Sequence, residues 1–275
     1  MSVDTAPVTT PDLETGWRST TPLDDTILWR GIVALAGAWE VTGRIGGGQI
    51  HRDERVSAVD LRRPTGFFNS AMLLRPLRDP ELEVTVDQIE GFYEAAGQGA
   101  ALLWSPWPTP DLAGRGWELQ GYPPLLYRPA GIPVTRQRRD GLEVLEVTDP
   151  EALRAWCRLA VAAFPLEEVD RPDGLLDPSL LRDPRFRLTV AQVDGRAVAV
   201  GLQVIVNDTN VLLLGAARPE HRGHGHYATL VADRLAHRTD LPAVTIVSDD
   251  SRPILVEHFG FLPISRFTLW ERPRP

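Results

Sequence analysis

The segment Gly116–Pro129, GWELQGYPPLLYRP, can be laid over Gly260–Pro273, GFLPISRFTLWERP, about 144 residues later, with Gly, Leu, Arg and Pro at matching places. The same offset puts ALLWS on TIVSD, and the helical pattern VDQIEGFYEAAGQ on the helix that follows the loop EHRGHGHY. With one residue of slippage, FFNSAMLLRP falls on NVLLLGAARP. Few residues are identical, but the elements agree in order and length. Such an echo predicts two similar α/β (α+β) halves in tandem, joined near AGIPVTRQRRDG (Ala130–Gly141), a stretch rich in Pro, Gly and Arg. The expected organisation is a tail over 1–25, a first half over 26–129, a linker over 130–141 and a second half over 142–275.

The second half is the more legible. LEVLEVT reads as a strand, and Thr148 or Asp149 can cap the helix EALRAWCRLAVAAF. On that helix Leu153, Trp156, Cys157, Ala160 and Phe164 share a face. RFRLTVAQV and AVAVGLQVIV flank Asp194–Gly195, a strong hairpin signal. NVLLLGAA follows through the turn NDT, and on the next helix Tyr227, Leu230, Val231 and Leu235 share a face. With PAVTIVS, the short helix SRPILVEH and a final strand after Gly260–Phe261, the order is β-α-β-β-β-α-β-α-β.

Composition narrows the chemistry. All 29 basic residues are arginine, so Schiff-base and lysine-nucleophile mechanisms are excluded. The single Cys157 excludes an internal disulfide and a multi-cysteine zinc site. A formal charge of −8 argues against nucleic acid or an anionic membrane as a partner. No apolar run reaches membrane-spanning length. The opening residues lack the apolar core of a signal peptide and read as a mobile tail on a cytoplasmic protein. GRIGGGQIH (Gly43–His51) lacks the Lys-Ser/Thr of a P-loop and reads as a flexible turn. Trp104 and Trp107 read as packing residues of the first half.

The function turns on EHRGHGHY, between a strand and a helix. Three readings compete. His221, His224 and His226 could be metal ligands, but a turn and a helix start need not make their rings converge. The segment could be a solvated turn. Or it is an anion cradle, in which Gly223 and Gly225 let the backbone curl, N–H groups at the helix start face a phosphate, and Arg222 adds positive charge. The strand–loop–helix context suits the cradle best. The matching place in the first half, LRDPELEV, has no glycine, and Asp79, Glu81 and Glu83 would repel an anion there.

RPEHRGHGHYATLVADRL resembles the acyl-CoA-binding motif of the Gcn5-related N-acetyltransferases, Gln/Arg-x-x-Gly-x-Gly/Ala. Arg222 and Gly225 take the first two fixed positions, and Tyr227 stands where Gly or Ala is usual. SRPILVEHFGF is similar to the family's second signature, and the element order is also the family's. The resemblance runs from about Leu142 to the end, and the first half looks like a degenerate copy, each half having a mixed, mostly antiparallel sheet flanked by helices.

The resemblance implies acetyl-CoA, or another acyl-CoA, as co-substrate without a metal, and direct attack by an amine in a ternary complex. Backbone N–H groups from Arg222 through Gly223, His224, Gly225, His226 and Tyr227 to Ala228 would grip the pyrophosphate. The pantetheine arm would lie along the preceding strand at Ala216 and Ala217, where an N–H would also stabilise the oxyanion. The acceptor would be a small-molecule or peptide amine, with no nucleic acid or membrane partner, and the chain a monomer or homodimer.

Val256 stands where many members carry the tyrosine that protonates the departing thiolate. A thiol pKa near 8.5 makes unaided departure tolerable. Tyr227 and His258 are candidate substitutes. Glu167, Glu168 and Asp170 in FPLEEVD border the family's acceptor site and are candidates to bind or deprotonate the amine. Asp249 or Asp250 is expected to cap the helix SRPILVEH. A second reading follows from Val256, a catalytically silent acyl-CoA-binding sensor or interaction module. A third, in which Tyr227 crowds the pyrophosphate and cofactor binding is lost, follows from that residue's bulk.

Overall fold

The computed structural model describes residues 26–63, 65–97, 100–135, 141–164, 166 and 169–273. Its first element, helix α1 (Thr26–Ile45), has no counterpart in the sequence reading. Ile32, Ala34, Leu35, Ala36 and Ala38 are all buried. A helix apolar on nearly every side must be covered on every side, and α1 touches strands of both sheets. GRIGGGQIH is not a flexible turn. It is the end of α1, a tight turn at Gly46–Gly47, and strand β1 (Gln49–Arg52).

The rest of the first half is β2 (Val56–Asp60), β3 (Asn69–Leu73), α2 (Asp79–Ala95), β4 (Ala101–Ser105), β5 (Glu118–Gly121) and β6 (Pro124–Arg128). The second half is β7 (Leu142–Glu146), α3 (Pro150–Ala163), β8 (Phe186–Val193), β9 (Arg196–Val206), β10 (Thr209–Ala217), α4 (His226–His237), β11 (Ala243–Ile246), α5 (Arg252–Phe259), β12 (Leu262–Arg266) and β13 (Thr268–Arg272). Asp149 caps α3, accepting from the N–H groups of Glu151 and Ala152. Asp194 and Gly195 both take positive φ, as a type I′ hairpin requires. The final segment holds two strands where one was expected.

Those two strands explain the architecture. The first sheet runs β1-β2-β3-β4-β13-β5 and the second β12-β6-β11-β10-β9-β8-β7. At the sequence offset β6 corresponds to β13 and β5 to β12, so the triplets β4-β13-β5 and β11-β6-β12 are equivalent with their middle strands exchanged. Each sheet thus takes one strand from the other side of residues 130–141. Both sheets are mixed, with β3/β4 and β10/β11 parallel and the remaining pairs antiparallel.

The connectors account for the exchange. A two-residue hairpin of type I′ or II′ needs positive φ at its first loop position. Tyr122, ahead of Pro123, does not adopt it. Between β12 and β13 only Phe267 intervenes, too little to reverse the chain. Each strand therefore runs on into the other sheet, and the connectors meet where Phe267 N–H donates to Pro123 O at 3.0 Å.

Candidate active site

Parallel strands β10 and β11 pair only at Asn210↔Ala243 and Val211↔Val244. Beyond Val211 they diverge, and β10 carries an irregularity between Leu213 and Ala216, with Leu214 at φ +46°. The diverging strands open a cavity of about 940 Å³. On one side it is walled by Gly215, Ala216 and Ala217 of β10 and by the loop into α4. Ser248, Asp250, Ser251, Ile254, His258 and Phe259 form the other side.

The loop is shaped by two glycines. After a 3-10 turn at Pro219–His221, Gly223 takes φ +77° and Gly225, the N-cap of α4, takes φ +76°. No side chain caps α4. The first N–H groups of a helix have no carbonyl partner within the helix, and here the residues that carry them line the cavity, with the positive end of the helix dipole behind them.

Of the residues singled out in this loop, Ala216, Ala217, Arg222, Gly223, Gly225, His226, Tyr227 and Ala228 all line the cavity. His224 does not line it; its Nδ1 donates to Arg222 O at 2.8 Å. Arg222 differs from the simple point charge expected. Its Nη2 donates to Ala163 O at 3.1 Å and its Nε to Ala217 O at 3.4 Å, bracing the loop against the ends of α3 and β10. The imidazoles of His224 and His226 stack nearly parallel, their centroids 5.7 Å apart at 10°. Among the described residues no group of His, Cys, Asp or Glu is arranged to hold a metal ion.

Tyr227 turns its ring down onto β10. Its Cε2 lies 2.9 Å from where a Cβ on Gly215 would stand, and burial raises the phenol's pKa. His258, in the last turn of α5, lines the cavity. Glu167 and Glu168 lie outside the described residues, and Asp170 is exposed. Neither Asp249 nor Asp250 caps α5, whose N-cap is Ser251. Asp249 pairs instead with Arg266 at 2.9 Å, and that bond lowers its carboxyl pKa. Among the described residues Asp250 is the carboxylate that lines the cavity.

Elsewhere, the matching place in the first half carries acidic side chains at the start of α2, where Glu81 pairs with Arg75. Trp104 and Trp107 are buried away from the cavity, Trp104 donating to Ser70 Oγ at 3.1 Å.

Sequence reasoning missed Arg234. It is 1% exposed and lies flat against Gly201 and Gly215. Its signal was present, because Arg234 sits seven residues after Tyr227 and four after Leu230, inside the apolar stripe of α4. Thr135 and Phe164, which also line the cavity, carried no such signal.

No protein-family model and no curated protein matches the chain. Solved structures do. A GCN5-related N-acetyltransferase from Kribbella flavida is 17% identical with a TM-score of 0.64, covering 89% of this chain and 97% of its own. A putative GNAT-family acetyltransferase from Novosphingobium aromaticivorans is 19% identical with a TM-score of 0.53, covering 91% and 100%. A tandem GNAT protein of the clavulanic acid biosynthesis pathway is 14% identical with a TM-score of 0.50, covering 90% and 95%. The chain has the tandem GNAT fold. Among the described residues no helix is long and apolar enough to cross a membrane.

Proposed function

We propose that this chain, built on the tandem fold of the GCN5-related N-acetyltransferases, is an N-acyltransferase that takes its acyl group from an acyl-CoA, most simply acetyl-CoA. The observation that carries the reading is the continuity of one surface. The unpaired edge of β10 leads from Gly215 through Ala217 into a glycine-shaped, uncapped helix start. A long polar arm ending in a diphosphate fits such a surface, because strand-edge amides and carbonyls suit the arm and helix N–H groups suit the anion.

The bound donor would supply an acyl group activated as a thioester. The chain's own residues do the rest. N–H groups between Arg222 and Ala228 hold the diphosphate, and Arg222 keeps their loop in shape. The side of the cavity formed by Asp250 and His258 receives the amine. There the carboxylate attracts the ammonium form, and His258 takes the proton that makes the amine nucleophilic; Glu167 and Glu168 stay candidates for that step on their sequence position alone. The amine nitrogen bonds to the acyl carbon, the carbon–sulfur bond breaks, the thiolate carries away the electron pair, and the second proton on the nitrogen passes to water as the amide forms. With Val256 in the helix facing it, the thiolate leaves unaided, which a thiol pKa near 8.5 permits. Positioning then supplies most of the rate.

The acceptor is an amine on a small molecule or peptide. Release of free thiol from acetyl-CoA, measured against a panel of such amines, tests the reading. Amine-dependent release supports it; none with any amine, from a protein that binds acetyl-CoA, counts against the transferase step.

A further inference from the structure

Arg234 is a cation in the wrong place for a structural residue. Its guanidinium is buried, and its hydrogen bonds all go to backbone carbonyls: Nε to Leu230 O at 3.3 Å, Nη1 to Leu202 O at 3.1 Å and to Leu213 O at 3.2 Å. Among the described residues no carboxylate forms a salt bridge with it; the adjacent Asp233 is near enough to attract it but forms its ion pair with Arg187 at 2.7 Å. A buried cation with no carboxylate bonded to it is expensive, and an apolar side chain would occupy the slot at lower cost. Burial lowers its pKa to about 10, so it remains charged at neutral pH.

Its position is specific. Leu202 and Leu213 are cross-strand partners, the last regular pair of β9 and β10 before the irregularity that ends at Ala216. The guanidinium bridges that pair. Two glycines leave it room, since a Cβ on Gly201 would stand 2.8 Å from its Cζ and one on Gly215 2.8 Å from its Nη2. Gly215 also lines the cavity. The cation therefore lies one glycine's thickness behind the segment of β10 that faces the site.

We infer that Arg234 is a positioning residue for acyl transfer, clamping the bulge of β10 and setting a positive field behind Gly215–Ala217 that polarises the carbonyl oxygen of an acyl thioester held against them. The inference rests on the acyl-CoA reading of the cavity. It follows from two physical points. Charge fixed in a water-poor wall acts more strongly than charge in solvent. A carbonyl held by a cation, as Leu213 O is, also fixes the peptide that leads through Leu214 into Gly215, and so the path of the cavity-lining segment.

The test is the isotope-edited infrared spectrum of acetyl-CoA labelled with ¹³C at the carbonyl, on the full chain, with affinity measured in parallel by calorimetry. In the wild type the carbonyl band shifts to lower wavenumber on binding. In Arg234→Met, which keeps an unbranched apolar stem but loses the charged end, affinity stays within about threefold while most of that shift disappears, and any amine-dependent turnover falls by roughly 10²-fold, the scale of a lost oxyanion donor. Arg234→Lys, which keeps a cation but cannot bridge both carbonyls, retains part of the shift. A full shift in Arg234→Met, or no shift in a wild type that binds, overturns the inference. If Arg234→Met does not fold, Arg234→Lys decides, and a shift equal to the wild type's overturns it. A wild type that does not bind acetyl-CoA is a different result, because it removes the acyl-CoA reading itself.

Discussion

Arg128, in the exchanged strand β6, donates from Nε to the carbonyl of Phe259 at 2.6 Å, across 131 residues of sequence. Its Nη2 also donates to Ile132 O at 2.7 Å and to Pro133 O at 3.3 Å. A side chain contributed by the first half thus fixes the end of α5, and with it the wall of the cavity that carries His258 and Phe259.

Arg128→Met should therefore destabilise the chain and weaken the site together. It leaves three backbone carbonyls without their donor, at an expected cost of about 3 kcal/mol in urea unfolding. A fragment of residues 142–275, which lacks β6, should neither fold cooperatively nor bind acetyl-CoA. Circular dichroism and calorimetry on the fragment check this.

Gly215→Ala should cost about 1–3 kcal/mol, as overpacking does, because the new Cβ would meet Arg234 Nη2 at 2.8 Å and Tyr227 Cε2 at 2.9 Å. Pairing it with Arg234→Met should recover much of the loss, since the shorter contact is then removed. Urea unfolding of the two single variants and the double variant measures the coupling.

Cys157 is fully buried, and burial raises its thiol pKa to about 11. The folded value lies above the unfolded one, so the native chain holds this proton more tightly. Its contribution to stability is complete below the unfolded pKa and is lost as pH rises through about 11. The stability lost over that range is about 3 kcal/mol. Wild type and Cys157→Ala should therefore converge in relative stability between pH 8 and pH 11, and the native thiol should resist thiol reagents at neutral pH.

The sequence carried the local features and lost the non-local ones. Asp194–Gly195 and the glycines of the α4 loop announce themselves because only certain residues tolerate positive φ. The strand exchange was not legible. Leu125 and Leu126 would suit a neighbour from either half, and only the geometry of Tyr122–Pro123 and Phe267 decides which sheet receives them. Helix α1 went unread for the opposite reason, because packing between two sheets leaves it no polar face to supply a period. Arg234 was legible as an anomaly in an apolar stripe, but its meaning depends on Gly201 and Gly215, which reach it only in three dimensions.

The proposal that the α4 loop holds the diphosphate of an acyl-CoA is tested most directly by calorimetric titration of the full chain with acetyl-CoA. The double variant Arg222→Ala, Gly225→Asp is run beside it. Gly225 sits at φ +76°, where a side chain is strained, and an aspartate there would place a carboxylate at the helix start. The expected result is micromolar binding by the wild type and a loss of at least tenfold in the folded variant. Absence of binding by the folded wild type, or equal binding by both proteins, would contradict it.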